Sequence, residues 1–242
     1  MIPHINSRSA GKRFCTSGRA KYALIAGISA DVAAPTTQLP ANEGSSNANK
    51  GVFSREKPVV MYGTSILQGG CANRPGMAHT NIISRRLDRE VINLGFSGNA
   101  LLDMEIAELM ASVEDPGLYV LDYAPNAYAD MIDANGETFF RVIRDAHPDV
   151  PVIFIEDVIF PHTLFDKEIL AEVTLKNEAQ KRLFLKLKKA GEKNIYYIAA
   201  EGMIGDDGEA TVDAIHFTDL GMMRYVDHVL PTIQKALKKS RK

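Results

Sequence analysis

From Lys57 onward, short apolar runs rich in β-branched and aromatic residues recur along the chain, with helical patterns between them. The runs are 58–62 (Pro-Val-Val-Met-Tyr), 90–94 (Glu-Val-Ile-Asn-Leu), 118–122 (Leu-Tyr-Val-Leu-Asp), 151–155 (Pro-Val-Ile-Phe-Ile) and 194–198 (Asn-Ile-Tyr-Tyr-Ile). They are continuously apolar rather than alternating, which suits strands buried on both faces of a parallel sheet. Between them, 78–88 carries Ile82, Ile83 and Leu87 at helical spacing, and 101–113 carries Leu102, Ile106 and Leu109. Asn135-Gly136-Glu137 opens a helix with Phe139, Val142 and Ile143 as its stripe, and His147-Pro148 ends it. A longer helix is expected over 167–190, stopped by Gly191, and a last one over 218–238, kinked at Pro231. Strand and helix alternating five times predict a doubly wound α/β/α sandwich with right-handed crossovers.

The first 55 residues have a different character. Residues 35–51 are polar and rich in Asn, Ser, Gly and Pro, a composition that buries too little apolar surface to offset ordering entropy. Ahead of this linker, residues 1–30 hold Arg8, Lys12, Arg13, Arg19 and Lys21, followed by the weakly apolar Ala23-Leu24-Ile25-Ala26-Gly27-Ile28-Ser29-Ala30. Two readings stay open for 1–55: a secretory-type signal, which would direct the chain to the periplasm or outside the cell, or a plain tail. The folded domain is expected over 56–242.

Composition excludes several classes. With 45% hydrophobic and 24% charged residues the chain is ordinary for a globular protein, and a formal net charge of -2 is not the basic footprint of a nucleic-acid binder. No apolar run reaches the roughly 18 residues a membrane helix needs. Cys15 and Cys71 read as free thiols, and no HExxH or CxxC pattern occurs among the six histidines, so no metal or other cofactor is expected.

Four loops carry the residues of chemical interest. Ser65 lies in Tyr62-Gly63-Thr64-Ser65-Ile66-Leu67, directly after the first strand, at the sheet edge where open α/β folds bind ligands. After the second strand comes Asn93-Leu94-Gly95-Phe96-Ser97-Gly98-Asn99, where Gly98 can offer a backbone N–H or serve only as a turn. After the third comes Asp122-Tyr123-Ala124-Pro125-Asn126, where the Asn126 amide can donate a hydrogen bond without titrating, or simply sit in a turn. Before the last helix stand Asp213 and His216, spaced so that a carboxylate on a turn can reach its neighbour's imidazole. The Gly-x-Ser-x-Gly elbow of α/β-hydrolases is absent.

Taken together, Gly63-Thr64-Ser65, Asn93-x-Gly95-x-Ser97-Gly98, Pro125-Asn126 and Asp213-x-x-His216 resemble the four blocks of the SGNH hydrolases, or GDSL-type esterases, over about 57–238. Tyr62-Gly63-Thr64-Ser65 and Asp122-x-x-Pro125-Asn126 look like the GTS-containing branch. The resemblance implies a flavodoxin-like sandwich with a five-stranded parallel sheet of order 2-1-3-4-5. It implies Ser65 as nucleophile, His216 as base, Asp213 as its orienter, and an oxyanion hole from the Ser65 and Gly98 N–H groups and the Asn126 side chain. Two positions depart from the family pattern: Thr64 stands where Asp is common, and Phe217 where Pro often follows the His. Members of this branch often carry an amino-terminal β-sandwich, which residues 1–55 do not resemble.

The function so implied is hydrolysis of carboxylic esters through an acyl-enzyme on Ser65. The resemblance puts short acyl esters first, acetyl groups on carbohydrates among them, and no long apolar lid that would argue for a triglyceride lipase is evident. Phe96, Tyr123, Tyr128, Phe160 and Phe217 are candidates either to wall the cleft or to pack the core. Two other functions use the same sequence differently. An acyltransferase would pass the acyl group to an alcohol. A silent flavodoxin-like module would bind phosphate after the first strand, although that loop lacks the spacing and Lys of a P-loop.

Overall fold

The computed structural model of the chain describes residues 56–239. Five strands, β1 (Val59–Gly63), β2 (Val91–Gly95), β3 (Leu118–Asp122), β4 (Val152–Ile155) and β5 (Ile195–Ile198), form one parallel sheet of order β2-β1-β3-β4-β5. Every residue of β1, β3 and β4 is buried, as the unbroken apolar runs require. The helices are α1 (Ser65–Gln68), α2 (His79–Leu87), α3 (Met104–Ala111), α4 (Ala129–Ala146), α5 (Lys167–Lys189) and α6 (Asp219–Lys239).

The pleat divides the core in two. Val59, Met61, Leu118, Val120, Ile153 and Ile155 point to the face covered by α2 and α6, where they meet Ile82, Ile83, Met222 and Val226. The alternate residues point to the face covered by α3, α4 and α5. There Tyr62 stacks on Phe139 at 5.1 Å and Phe140 lies 5.8 Å from Phe154. This is the α/β/α sandwich, with the expected strand order.

Two helices differ from their sequence patterns. Helix α4 begins at Ala129, well before Asn135-Gly136, and Gly136 is an interior residue of it. A Cβ at Gly136 would lie 2.6 Å from Leu183 Cδ2, so this glycine lets α5 approach α4 closely and is not a start signal. Helix α3 is shorter than 101–113. Ala100 and Leu102 have φ of 72° and 64°, left-handed conformations that a right-handed helix cannot include. The last helix continues through Pro231 to Lys239, with one backbone rung unmade at the proline. The expectations for a signal-like segment and linker fall outside the described residues. Among those described, no helix is long and apolar enough to cross a membrane.

Candidate active site

The Ser65 turn is built from β1 outward. Gly63 ends the strand where a side chain has no room: a Cβ there would lie 2.6 Å from the Asp122 carbonyl oxygen. Thr64 is extended and buried, and its Oγ1 accepts the Ile66 N–H at 3.3 Å, capping the one-turn helix α1. Thr64 therefore supplies the turn-closing acceptor at the position where the resembling family commonly has Asp. Ser65 is the first residue of α1, half-buried at the carboxyl edge of the sheet. The underside of α1 rests on β2. Asn93 Nδ2 donates to the Leu67 carbonyl and to Thr80 Oγ1, both at 3.0 Å, and Asn93 Oδ1 accepts the Gly95 N–H at 2.8 Å. A Cβ on Gly95 would lie 2.3 Å from the Gln68 nitrogen, so only glycine admits this contact.

The second part is the loop before α6. A bridge between Thr211 and Phe217 closes it, with Val212 N donating to the His216 carbonyl at 2.9 Å. Phe217 is fully buried and packs against Tyr225 at 5.6 Å, so it anchors the loop where the family often has Pro. Asp213 Oδ1 accepts the backbone N–H groups of Ile215 at 3.0 Å and His216 at 2.7 Å, while Oδ2 lies 2.6 Å from His216 Nδ1. The bond from the His216 side chain, backed by the backbone donors, holds the Asp213 carboxyl down at about 2. An ionised carboxylate at Nδ1 keeps the proton there and leaves the Nε2 lone pair free. His216 Nε2 lies 2.9 Å from Ser65 Oγ, across 151 positions of sequence. The structure thus brings Ser65, His216 and Asp213 into one hydrogen-bonded line, a geometry that can take a proton from a hydroxyl and stabilise the resulting imidazolium.

The remaining two candidates stand on the flanking loops. The register aligns Gly63 with Gly95 on one side and with Asp122 on the other, so the loops bearing Gly98 and Asn126 leave the sheet beside Ser65. Gly98 is exposed with φ of 68°. Asn126 Nδ2 donates to the Asn99 carbonyl at 2.7 Å, which ties the two loops together.

Of the aromatics that sequence offers as cleft walls, Tyr123, Phe160 and Phe217 are core residues, Phe96 is partly buried, and Tyr128 is exposed. Tyr123 is held inside by donation to Gln180 Oε1 at 2.7 Å. Three features had no sequence signal. Cys71, exposed, brings its thiol within 4.8 Å of ligating atoms of Asp213 and His216, but those two groups are already bonded to each other. Lys176 on α5 reaches the Pro125 carbonyl. Beneath the site, His79 is fully buried with its ring 4.6 Å from Tyr225, and burial pushes its imidazole down to about 3, so it is neutral. A concavity of about 530 Å³ bordered by Lys193, Asn194 and Ile195 opens at the amino-terminal end of β5, the opposite end of the sheet from Ser65.

The model of the GDSL-like lipase/acylhydrolase family matches residues 56–234. Among solved structures, a GDSL-like lipase-family protein from Bacteroides ovatus ATCC 8483 is 37% identical with a TM-score of 0.73, covering 76% of this chain and 54% of that one. The salicylyl-acyltransferase SsfX3 of a tetracycline biosynthetic pathway is 19% identical with a TM-score of 0.64, covering 76% and 56%. A family two carbohydrate esterase from Clostridium thermocellum, in complex with cellohexaose, is 13% identical with a TM-score of 0.59, covering 76% and 65%. At these last two identities the likeness is one of fold. The chain spans little more than half the length of the first two proteins. No curated protein matches it.

Proposed function

The chain belongs to the GDSL-like lipase/acylhydrolase family, and from that premise we propose that it hydrolyses carboxylic esters through an acyl-enzyme on Ser65. The observation that carries the reading is the 2.9 Å contact between Ser65 Oγ and a His216 Nε2 whose ring is fixed by Asp213. In the forward half-reaction Ser65 Oγ attacks the ester carbonyl carbon while His216 Nε2 takes its proton. The tetrahedral oxyanion is stabilised by N–H groups of Ser65 and Gly98 and by the second N–H of the Asn126 amide, the first being held by Asn99. Collapse breaks the bond to the alkoxide, which leaves with the proton from His216. Water then repeats the sequence on the acyl-serine: His216 takes its proton, the acid departs, and Ser65 Oγ recovers the proton.

The substrate we propose is a short acyl group, acetyl first, on a bulky polar alcohol such as a carbohydrate. His216 and Asp213 keep 28% and 49% of their side-chain surface exposed. A site so open accepts a large hydrophilic alcohol portion. The loop directly after α1 is Gly69-Gly70-Cys71, and a Cβ on Gly70 would lie 3.3 Å from His216 Cδ2, so space next to the imidazole is kept by small residues. Turnover of p-nitrophenyl acetate by the wild type and its loss in Ser65→Ala test the reaction. A Ser65→Ala protein with undiminished turnover would sink it. Comparing acetylated sugars with p-nitrophenyl esters of rising chain length tests the substrate class.

A further inference from the structure

Asn126 sits in the short link between β3 and α4, and the residue at the head of α4, Tyr128, makes no side-chain capping bond to hold that link. Within the link, the Asn126 and Ala127 N–H groups both donate to the Tyr123 carbonyl at 3.0 Å, and α5 adds a second hold from outside. Lys176 is only 5% exposed, and its Nζ donates to the Pro125 carbonyl at 3.0 Å. The same Nζ lies 5.3 Å from the centroid of the Tyr128 ring. One cation therefore grips the chain on both sides of Asn126, by a hydrogen bond before it and a cation–π contact after it. Lys176 is itself fixed, with Glu172 Oε1 at 2.7 Å and Asp157 Oδ2 at 3.8 Å. Asp157 is in turn clasped by Asn177, whose Oδ1 accepts the Asp157 N–H at 2.7 Å and whose Nδ2 donates to the Asp157 carbonyl at 2.9 Å. On its far side Asn126 is tethered to Asn99.

Burying an ammonium is costly, and an apolar side chain of similar length would fill the same space without that cost. The partnership with Glu172, which is half exposed, does not require the cation to turn inward. Turned inward, it meets two groups, the buried Asp157 carboxylate at 3.8 Å and the Pro125 carbonyl at 3.0 Å, and only the carbonyl lies on the Asn126 link.

We propose that Lys176 is a positioning residue for Asn126, fixing Pro125 and Tyr128 so that the amide meets the developing oxyanion of an ester attacked by Ser65. This rests on the reading of Ser65 as nucleophile. Oxyanion donors act where charge develops, in the transition state, and a misplacement of about 1 Å costs on the order of 10²-fold in rate. Loosening the link therefore lowers kcat while leaving KM nearly unchanged.

The test is a double-mutant cycle in the full chain, with p-nitrophenyl acetate as substrate: Lys176→Met, Asn126→Ala and the double variant. The expected result is a kcat loss of at least about 10-fold in Lys176→Met, with KM within about twofold, and a double variant no slower than Asn126→Ala alone, because an absent amide cannot be misplaced. Affinity for a boronic acid that mimics the tetrahedral adduct should fall in step with kcat. Losses that multiply in the double variant, or a raised KM at constant kcat, overturn the proposal. Should Lys176→Met fail to fold, Tyr128→Leu removes the other grip at an exposed position and must show a smaller loss with the same non-additivity; additivity there overturns it equally. Ser65→Ala separates the two hypotheses. If that variant is inactive and the cycle is additive, only the positioning role falls. If it stays active, the nucleophile assignment falls and this proposal with it.

Discussion

The Tyr225 hydroxyl donates a 2.7 Å hydrogen bond to Asp122 Oδ2, joining α6 to the carboxyl end of β3 inside the protein. Asp122 is 4% exposed, and its carboxyl is pushed up to about 7, first by burial and further by the charge of Asp157, while the Tyr225 bond works in the other direction. The folded state thus keeps a proton that the unfolded chain releases above the ordinary carboxylate value of 3.8. Folding stability attributable to Asp122 is complete below that value and is lost as pH rises toward about 7. Asp122→Asn preserves the shape and removes the titration. Urea unfolding at about pH 5 and about pH 8 should show a smaller decline for the variant than for the wild type. Equal declines would mean that Asp122 titrates alike in both states.

Asp213 carries the opposite shift. Held down at about 2, its carboxylate is ionised near neutral pH. The carboxylate is therefore in place to hold the Nδ1 proton of His216. Asp213→Asn places an amide where the carboxylate received Nδ1–H, so the ring loses its fixed tautomer. A fall in kcat of about 10²–10⁴-fold is expected. Steady-state kinetics check the point, and an undiminished kcat in Asp213→Asn would contradict it.

Asn126→Ala tests the proposed role of the amide as an oxyanion donor. Its expected effect is a loss of about 10²–10³-fold in kcat. KM should move little, because the ground-state carbonyl oxygen gains less from the bond than the oxyanion does. A rise in KM with kcat preserved would instead make Asn126 a substrate-binding group.

Gly95→Ala puts a methyl group 2.3 Å from the Gln68 nitrogen, a contact only backbone movement can relieve. Overpacking of this kind costs about 1–3 kcal/mol. Because α1 must lift from β2, esterase activity should drop together with the melting temperature. A variant as stable and active as the wild type would show that α1 does not depend on this contact.

The fold was legible because parallel strands buried on both faces leave unbroken apolar runs, and β1, β3 and β4 are such strands. Helix ends were less legible. Gly136 reads as a helix start by chemistry but serves packing against Leu183, which only the tertiary structure reveals. At the site, Ser65, Asp213 and His216 stood out because each lies at a strand or helix boundary in a recognisable block. Lys176 did not, since a lysine in the middle of a long helix ordinarily faces solvent, and nothing local says that it points inward to the Pro125 carbonyl. Asn93 was visible in its block, but its task of tying α1 and α2 to β2 follows from three contacts that no spacing encodes.

The support of α1 by Asn93 and Gly95 has a thermal consequence. Among the described strands β2 lies at the margin of the sheet, paired with β1, and three of its five residues are only partly buried. Such margins open at lower free energy than the interior. The seat of Ser65 thus rests partly on an edge strand of the sheet. On warming, turnover should fade before the helical circular-dichroism signal does, and fade reversibly. Turnover would then report on the edge strand, a local opening that bulk unfolding measurements pass over.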